Sequence, residues 1–341
     1  MENLILFYPE GHQAHAEPGH PERPQRVETI RSAMQEVGWW KQFPQVNPIQ
    51  LPSNVLHTIH SPTYLDILQR VCVRGEHYDA DTYTTPASWD LAHNTAGGAA
   101  AIAQAIWQGR SQRGFALTRP PGHHAIHSAA MGFCLLNNVA LAAEFLIQQE
   151  GAHRLAIVDL DLHHGNGTQE AFYQRKDVFY ISTHQYPHYP GTGKIDEIGS
   201  GAGEGLTANF PLPPFSGDNA FRTIMDEIIL PLLDRYNPQM ILVSYGFDPH
   251  WNEPLGNLQL SAVVYGELIT RLTGWADQHC DGRISLFLEG GYDLQAAKAC
   301  TLSVIAAILG ETFHDPLGRS PRPEASTWQS VVRRAKEIWL T

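Results

Sequence analysis

The feature that most restricts how this chain can fold is a recurring unit: a short apolar run that stops abruptly at polar, chemically capable residues. The runs are Leu4–Tyr8 before EGH, Phe115–Thr118 before RPPGHH, Leu155–Val158 before DLDLHHGNG, Val178–Ser182 before THQ, Met240–Ser244 before YGFD and Ile284–Leu288 before EGGYD. Ile, Val, Leu and Phe crowd together in them without polar alternation, the pattern of strands buried on both faces. Between them lie helix-length stretches at Trp89–Gln108, Asn137–Glu150, Asn219–Tyr236 and Ser261–His279. A last helix is predicted at Ser326–Leu340, behind the proline-rich piece Pro316–Glu324. The Ser-Gly-Asp loop ahead of Asn219 supplies residues that cap a helix start. Strands alternating with helices predict an α/β fold: an open, mostly parallel sheet with helices on both faces. Neither a repeat nor a linker interrupts residues 1–341, so a single domain is expected.

In open sheets of this kind, sites form beyond the carboxyl ends of the strands. The His and Asp residues cluster at those ends, which places the function there. A net charge of −12 disfavours nucleic acid as a partner, because nothing offsets repulsion from phosphates. No window is apolar enough for a membrane span, and the N-terminal stretch reads as a strand. The four cysteines, Cys72, Cys134, Cys280 and Cys300, show no Cys-x-x-Cys spacing. That disfavours a structural zinc site or a disulfide framework and suits a reducing compartment, so the cytoplasm is the expected location.

Asp159, Asp161 and His163 alternate at the end of one run, so strand geometry would put all three on one face. Asp248, after another run, could complete a site of two carboxylates and one imidazole, a set that suits catalytic zinc with an open position. Hydrogen-bonded polar residues capping a strand are the ordinary alternative. His123 and His124, adjacent and without Cys partners, look like acid–base groups beside a metal, each needing an acceptor on its far nitrogen. Asp159 and Asn166 are the candidates for that part. Tyr292 follows Gly290 and Gly291 at a strand end, where its hydroxyl could donate to a developing oxyanion.

Taken together, these segments resemble the histone deacetylase and acetylpolyamine amidohydrolase family. The matching pieces are GHPERPQR (19–26), RPPGHHA (119–125), GFCLLNNVA (132–140), VDLDLHHGNGTQ (158–169), YPGTG (189–193), NFPLPP (209–214), GFDPHWNEPLG (246–256) and LEGGYDL (288–294). The resemblance implies the open α/β sheet shared with arginase. It implies one zinc ion per chain, held by Asp161, His163 and Asp248, with His124 as general base and then acid and His123 as its electrostatic partner. Asp159 would hold His123, Asn166 would orient His124, and Tyr292 would polarise the substrate carbonyl. A structural K+ or Na+ ion would bind through Asp159, Asp161, His163, Ser182 and Thr183. Phe133 and Tyr189 match the walls of an acyl-lysine tunnel and Gly132 its floor, and Arg26 matches an internal arginine beside the cavity.

The sequence departs from the family at Asn166, where many members carry Asp, at Tyr189, where Phe is usual, and at Phe215, where a small Gly is common. The last puts the local loop shape in question. The expected reaction is hydrolysis of an N-acetyl or small acyl amide on a lysine-like side chain of a peptide or protein. The alternative is an acetylated small amine such as a polyamine. Leu255, where a carboxylate would mark polyamine selectivity, favours lysine-type substrates. A binuclear manganese ureohydrolase would want carboxylates at Gly165 and His250. A non-catalytic acyl-binding module would not need the full acid–base set.

Overall fold

A computed structural model of the chain describes residues 4–340. Seven strands form its sheet: β1 (Ile5–Phe7), β2 (Arg113–Ala116), β3 (Leu155–Asp159), β4 (Val178–Gln185), β5 (Thr207–Leu212), β6 (Met240–Tyr245) and β7 (Ile284–Leu288). Their order is β1-β2-β7-β6-β3-β4-β5, and every neighbouring pair is parallel. The sheet is thus all-parallel, a stricter form of the mostly parallel sheet expected from the sequence.

The unbroken apolar runs have a direct cause. Ala156 and Val158 of β3 pack into one core cluster while Leu155 and Ile157 pack into a second, and the same split holds for Ile241 and Val243 against Met240 and Leu242 in β6. With a core on each face, neither set of alternating side chains meets water. Helices Ser88–Trp107 and Asn138–Glu150 build the second cluster, and Ala262–His279 and Leu294–Leu309 build the first.

Two expectations need correction. The stretch Asn219–Tyr236 is not one regular helix: it runs as Asp218–Ile224, a π segment Met225–Ile229, then Leu230–Tyr236. Its start is capped from far away, because the Glu324 carboxylate accepts from the backbone N–H groups of Gly217, Asn219 and Ala220 at 2.9–3.0 Å, while the local Asp218 is bonded to Ser261. β5, within the TANFPL segment, is a strand that the apolar runs do not announce. Pro211 breaks the pattern there, and it is tolerated because β5 lies at the sheet edge. Phe215, just beyond, takes the left-handed conformation (φ 68°) that glycine adopts freely, and the Arg322 guanidinium lies 4.6 Å from its ring centroid. The loop therefore keeps a glycine-like course with an aromatic in the glycine position.

Candidate metal centre and acyl cavity

β3, β6 and β7 are neighbours in the middle of the sheet, and their carboxyl ends carry the candidate site. β3 ends at Asp159, so Asp161 and His163 lie in the following loop, and the strand pleat is not what gathers them. Backbone amides fold that loop onto carboxylates instead. Asp159 accepts from the Asp161 N–H (3.2 Å), Asp161 from the His163 N–H (2.8 Å) and Asp248 from the Leu162 N–H (2.9 Å). The result brings His163 Nδ1 to 3.2 Å from Asp161 Oδ1 and 3.1 Å from Asp248 Oδ2. Asp161 Oδ2 is held by the N–H of Gly290 at 2.8 Å. Glycine is required at that close approach, since a Cβ on Gly290 would strike both Asp248 and Asp161.

One ligand atom from each of Asp161, His163 and Asp248 lies within 4.8 Å of the others, and all three residues are buried. Two carboxylates and an imidazole nitrogen converge with no Lys or Arg among them. Such a donor set could hold a divalent cation. Burial and the neighbouring Asp161 charge push Asp248 up to about 6. Burial disfavours the charged form of His163, but hydrogen bonds to Asp161 and Asp248 outweigh it and raise its pKa to about 9.

His123 and His124 differ in what stands behind them. His123 Nδ1 lies 3.1 Å from Asp159 Oδ2, which also accepts from the Tyr180 hydroxyl at 3.0 Å. Burial works against the His123 cation, yet the Asp161 and Asp159 charges carry its pKa up to about 10. His124 Nδ1 faces the Asn166 side-chain oxygen at 2.7 Å. Burial and the cationic character of His123 and His163 press His124 well below its ordinary range. Their surroundings thus push the pair in opposite directions, His123 towards its cation and His124 towards its neutral form. Both main-chain N–H groups at Gly122 and His123 are fixed by Glu289, to which sequence reasoning assigns no role.

Above these groups is a cavity of about 220 Å³. His124, His163 and Tyr292 are buried at its deep end with Gly132 and Phe133 beside them, and Tyr189 and Leu255, each 38% exposed, lie at the mouth. Gly132 (φ 55°) and Phe133 (φ 67°) are both left-handed, and a Cβ on Gly132 would come within 2.5 Å of the His124 ring. The Tyr189 ring stands edge-on to His124 at 5.1 Å, and Phe133 edge-on to Tyr292 at 5.6 Å. Burial raises the Tyr292 hydroxyl well above its usual pKa, so it keeps its proton and can donate a hydrogen bond. Asp81 and His188 also line the cavity. Neither sits in a pattern that a short stretch of sequence would single out.

Ser182 pairs in register with Asp159. Alternation along β4 turns the Thr183 side chain to the other face, where its hydroxyl is buried without a hydrogen-bond partner. Arg26 is fully buried against Tyr292, its guanidinium 4.9 Å from the ring centroid.

The sequence profile described as "Histone deacetylase domain" matches residues 20–308. The chain belongs to the histone deacetylase family. It is 40% identical, over 91% of its length and 87% of the relative's, to a probable deacetylase of Archaeoglobus fulgidus. To the histone deacetylase-like amidohydrolase of Pseudomonas aeruginosa it is 34% identical, over 89% of this chain and 81% of that one. The crystal structure of the HDA15 HD domain superposes with a TM-score of 0.89 at 33% identity, covering 100% of this chain and 97% of that one. Deacetylase or amidohydrolase chemistry follows from membership. No described helix is long and apolar enough to cross a membrane.

Proposed function

We propose that the chain is a single-domain, zinc-dependent deacetylase that hydrolyses acetyl or small acyl amides on lysine side chains. The observation that carries this reading is the convergence of Asp161, His163 and Asp248 at the deep end of an aromatic-walled cavity that also presents His124 and Tyr292. Zinc suits two carboxylates and an imidazole with a position left open, and bound there it would supply Lewis acidity to the acyl carbonyl and to water. A second metal is disfavoured at Gly165, where even a Cβ would collide with Asp159 and the Tyr180 hydroxyl.

The chain's own residues perform the remaining steps. Phe133 and Tyr189 flank the lysine alkyl chain and exclude water. His124, neutral and held by Asn166, accepts the proton of the attacking water and returns it to the leaving amine. Tyr292 donates its hydroxyl to the carbonyl oxygen as charge gathers there. His123, held by Asp159, supplies fixed positive charge beside the reacting centre. A K+ or Na+ ion under the site would use Asp159, Asp161, His163, the Ser182 hydroxyl and the Thr183 carbonyl as a structural support. The four cysteines are unpaired and buried, in keeping with a reducing compartment such as the cytoplasm.

Leu255, 38% exposed at the mouth, offers apolar surface where a small polyamine would need a carboxylate. Acetyl-lysine peptide is therefore expected to exceed acetylated polyamines in kcat/KM by about tenfold or more, the scale of a missing charge partner at a rim. Equal or reversed preference would refute the lysine assignment.

A further inference from the structure

Glu253 does not face the cavity, and none of the steps above uses it. Its side chain is buried, with the residue 6% exposed, yet it touches two parts of the site. One carboxylate oxygen accepts from the backbone N–H of Tyr292 at 2.9 Å and of Asp293 at 3.3 Å. The other accepts from the N–H of Leu255 at 3.3 Å. On the opposite side of the same turn, Arg26 Nε donates to the Gly291 carbonyl at 2.5 Å, and a terminal nitrogen of Arg26 donates to the Glu289 carbonyl. Gly290 donates its N–H to Asp161. Within this segment the Glu289 and Gly291 carbonyls therefore meet the Arg26 cation and the Gly290, Tyr292 and Asp293 amides meet carboxylates, while the Gly290 carbonyl accepts from the Phe247 N–H at 3.2 Å.

That arrangement matters because Gly290 and Gly291 give the turn little stiffness of its own, and Gly291 sits at φ 109°. The direction of the Tyr292 ring must be set by what grips the turn from outside. A hydroxyl that stabilises a developing charge works only when it is already in place, and displacement by about 1 Å can cost two orders of magnitude in rate.

We propose that Glu253 is a positioning residue for Tyr292, fixing its main chain so that the hydroxyl meets the substrate carbonyl, and tying that placement to the rim at Leu255. The proposal rests on the reading of Tyr292 as the hydroxyl donor. It differs from a simple loop staple in one respect: the effect of losing Glu253 must pass through the Tyr292 hydroxyl.

A double-mutant cycle on the zinc-loaded full chain tests this. Tyr292→Phe is expected to lower kcat about 100-fold, and Glu253→Ala about 30-fold with KM changed less than about threefold. In the Tyr292→Phe background, Glu253→Ala should cost less than about threefold more, because the hydroxyl it serves is already gone. Glu253→Gln, whose amide oxygen can still accept from the Tyr292 N–H, should recover most of the rate. Zinc content and the unfolding midpoint are measured for every variant. If Glu253→Ala loses metal or fold, the cycle is run with Glu253→Gln, whose smaller loss should likewise vanish in the Tyr292→Phe background. Full multiplication of the two losses would overturn the role of Glu253 alone. A Tyr292→Phe enzyme at nearly full rate would instead overturn the assignment of Tyr292.

Discussion

Glu22 and Asp248 are both fully buried carboxylates, and their surroundings push them in opposite directions. Burial raises the pKa of each. At Glu22 the guanidiniums of Arg119 and Arg26 overwhelm that effect and bring it down to about 2. At Asp248 the next contribution is another carboxylate, Asp161, and the pKa climbs to about 6. Around Glu22 the chain furnishes its own counter-charge: Arg119 donates to both carboxylate oxygens at 2.8 and 3.0 Å, and Arg26 adds a bond at 3.2 Å. Arg119 also donates to the carbonyls of His12 and His15 and to the Tyr83 hydroxyl. Around Asp248 the chain furnishes acceptors and an imidazole, and Glu289 and Glu253 nearby are also raised to about 7, first by burial. One cluster is complete as protein, whereas the other offers a donor set that could hold a cation.

The sharpest way to break this contrast is to take one carboxylate from each cluster. Asp248→Ala removes a proposed zinc ligand. Zinc measured by atomic emission should fall well below one per chain, and kcat/KM should drop by roughly a thousandfold or more, the several kcal/mol a Lewis acid contributes. Zinc retained at full stoichiometry would remove Asp248 from the ligand set.

Glu22→Gln strikes the other cluster and should leave zinc content unchanged while weakening the fold. Two buried guanidiniums would face a neutral amide, a change expected to cost about 3 kcal/mol at pH 7. The sign of the pH dependence follows from a depressed pKa. The contribution of Glu22 is full above its ordinary value of 4.5 and is lost as pH falls towards about 2. Urea unfolding should therefore show a gap between wild type and variant that is wide at pH 7 and narrower at pH 3. A gap of equal size at both would mean that the guanidiniums do not hold the Glu22 charge.

The two clusters also differ in how far they can be read from sequence. The metal candidates announce themselves because Asp159, Asp161 and His163 crowd one short segment beyond an apolar run. Even so, the mechanism inferred from alternation is wrong: the strand stops at Asp159, and amide-to-carboxylate bonds shape the loop. The Glu22 cluster joins residues 97 positions apart, and nothing in GHPERPQR or RPPGHHA specifies that Glu22 meets Arg119. Helix Leu294–Leu309 escapes sequence reading for a related reason. It is buried on most sides, so its Ala-rich sequence lacks the polar stripe by which a surface helix is recognised. Glu253, Asp81 and His188 each take part through contacts distant in the chain, which no local pattern encodes.

The smallest and most diagnostic change adds a charge where the chain has left one out. Asn166 presents a neutral oxygen to His124 at 2.7 Å, while Asp159 presents a carboxylate to His123. Asn166→Asp would put the two histidines on equal footing. A carboxylate stabilises the imidazolium more than an amide does, so His124 should hold its proton to higher pH. As the proposed base, His124 must be neutral to act, and the acidic limb of kcat/KM should move up, by about one pH unit or less. The size is limited because burial and the charges of His123 and His163 continue to oppose the cation. Zinc content across the pH range must be followed in parallel, since protonation of Asp248 would also steepen that limb through loss of metal. With occupancy constant, an unchanged limb would mean that some other group sets it. A downward shift would contradict His124 as the base outright and would move the acid–base role to His123, the one histidine of the pair that already has a carboxylate behind it.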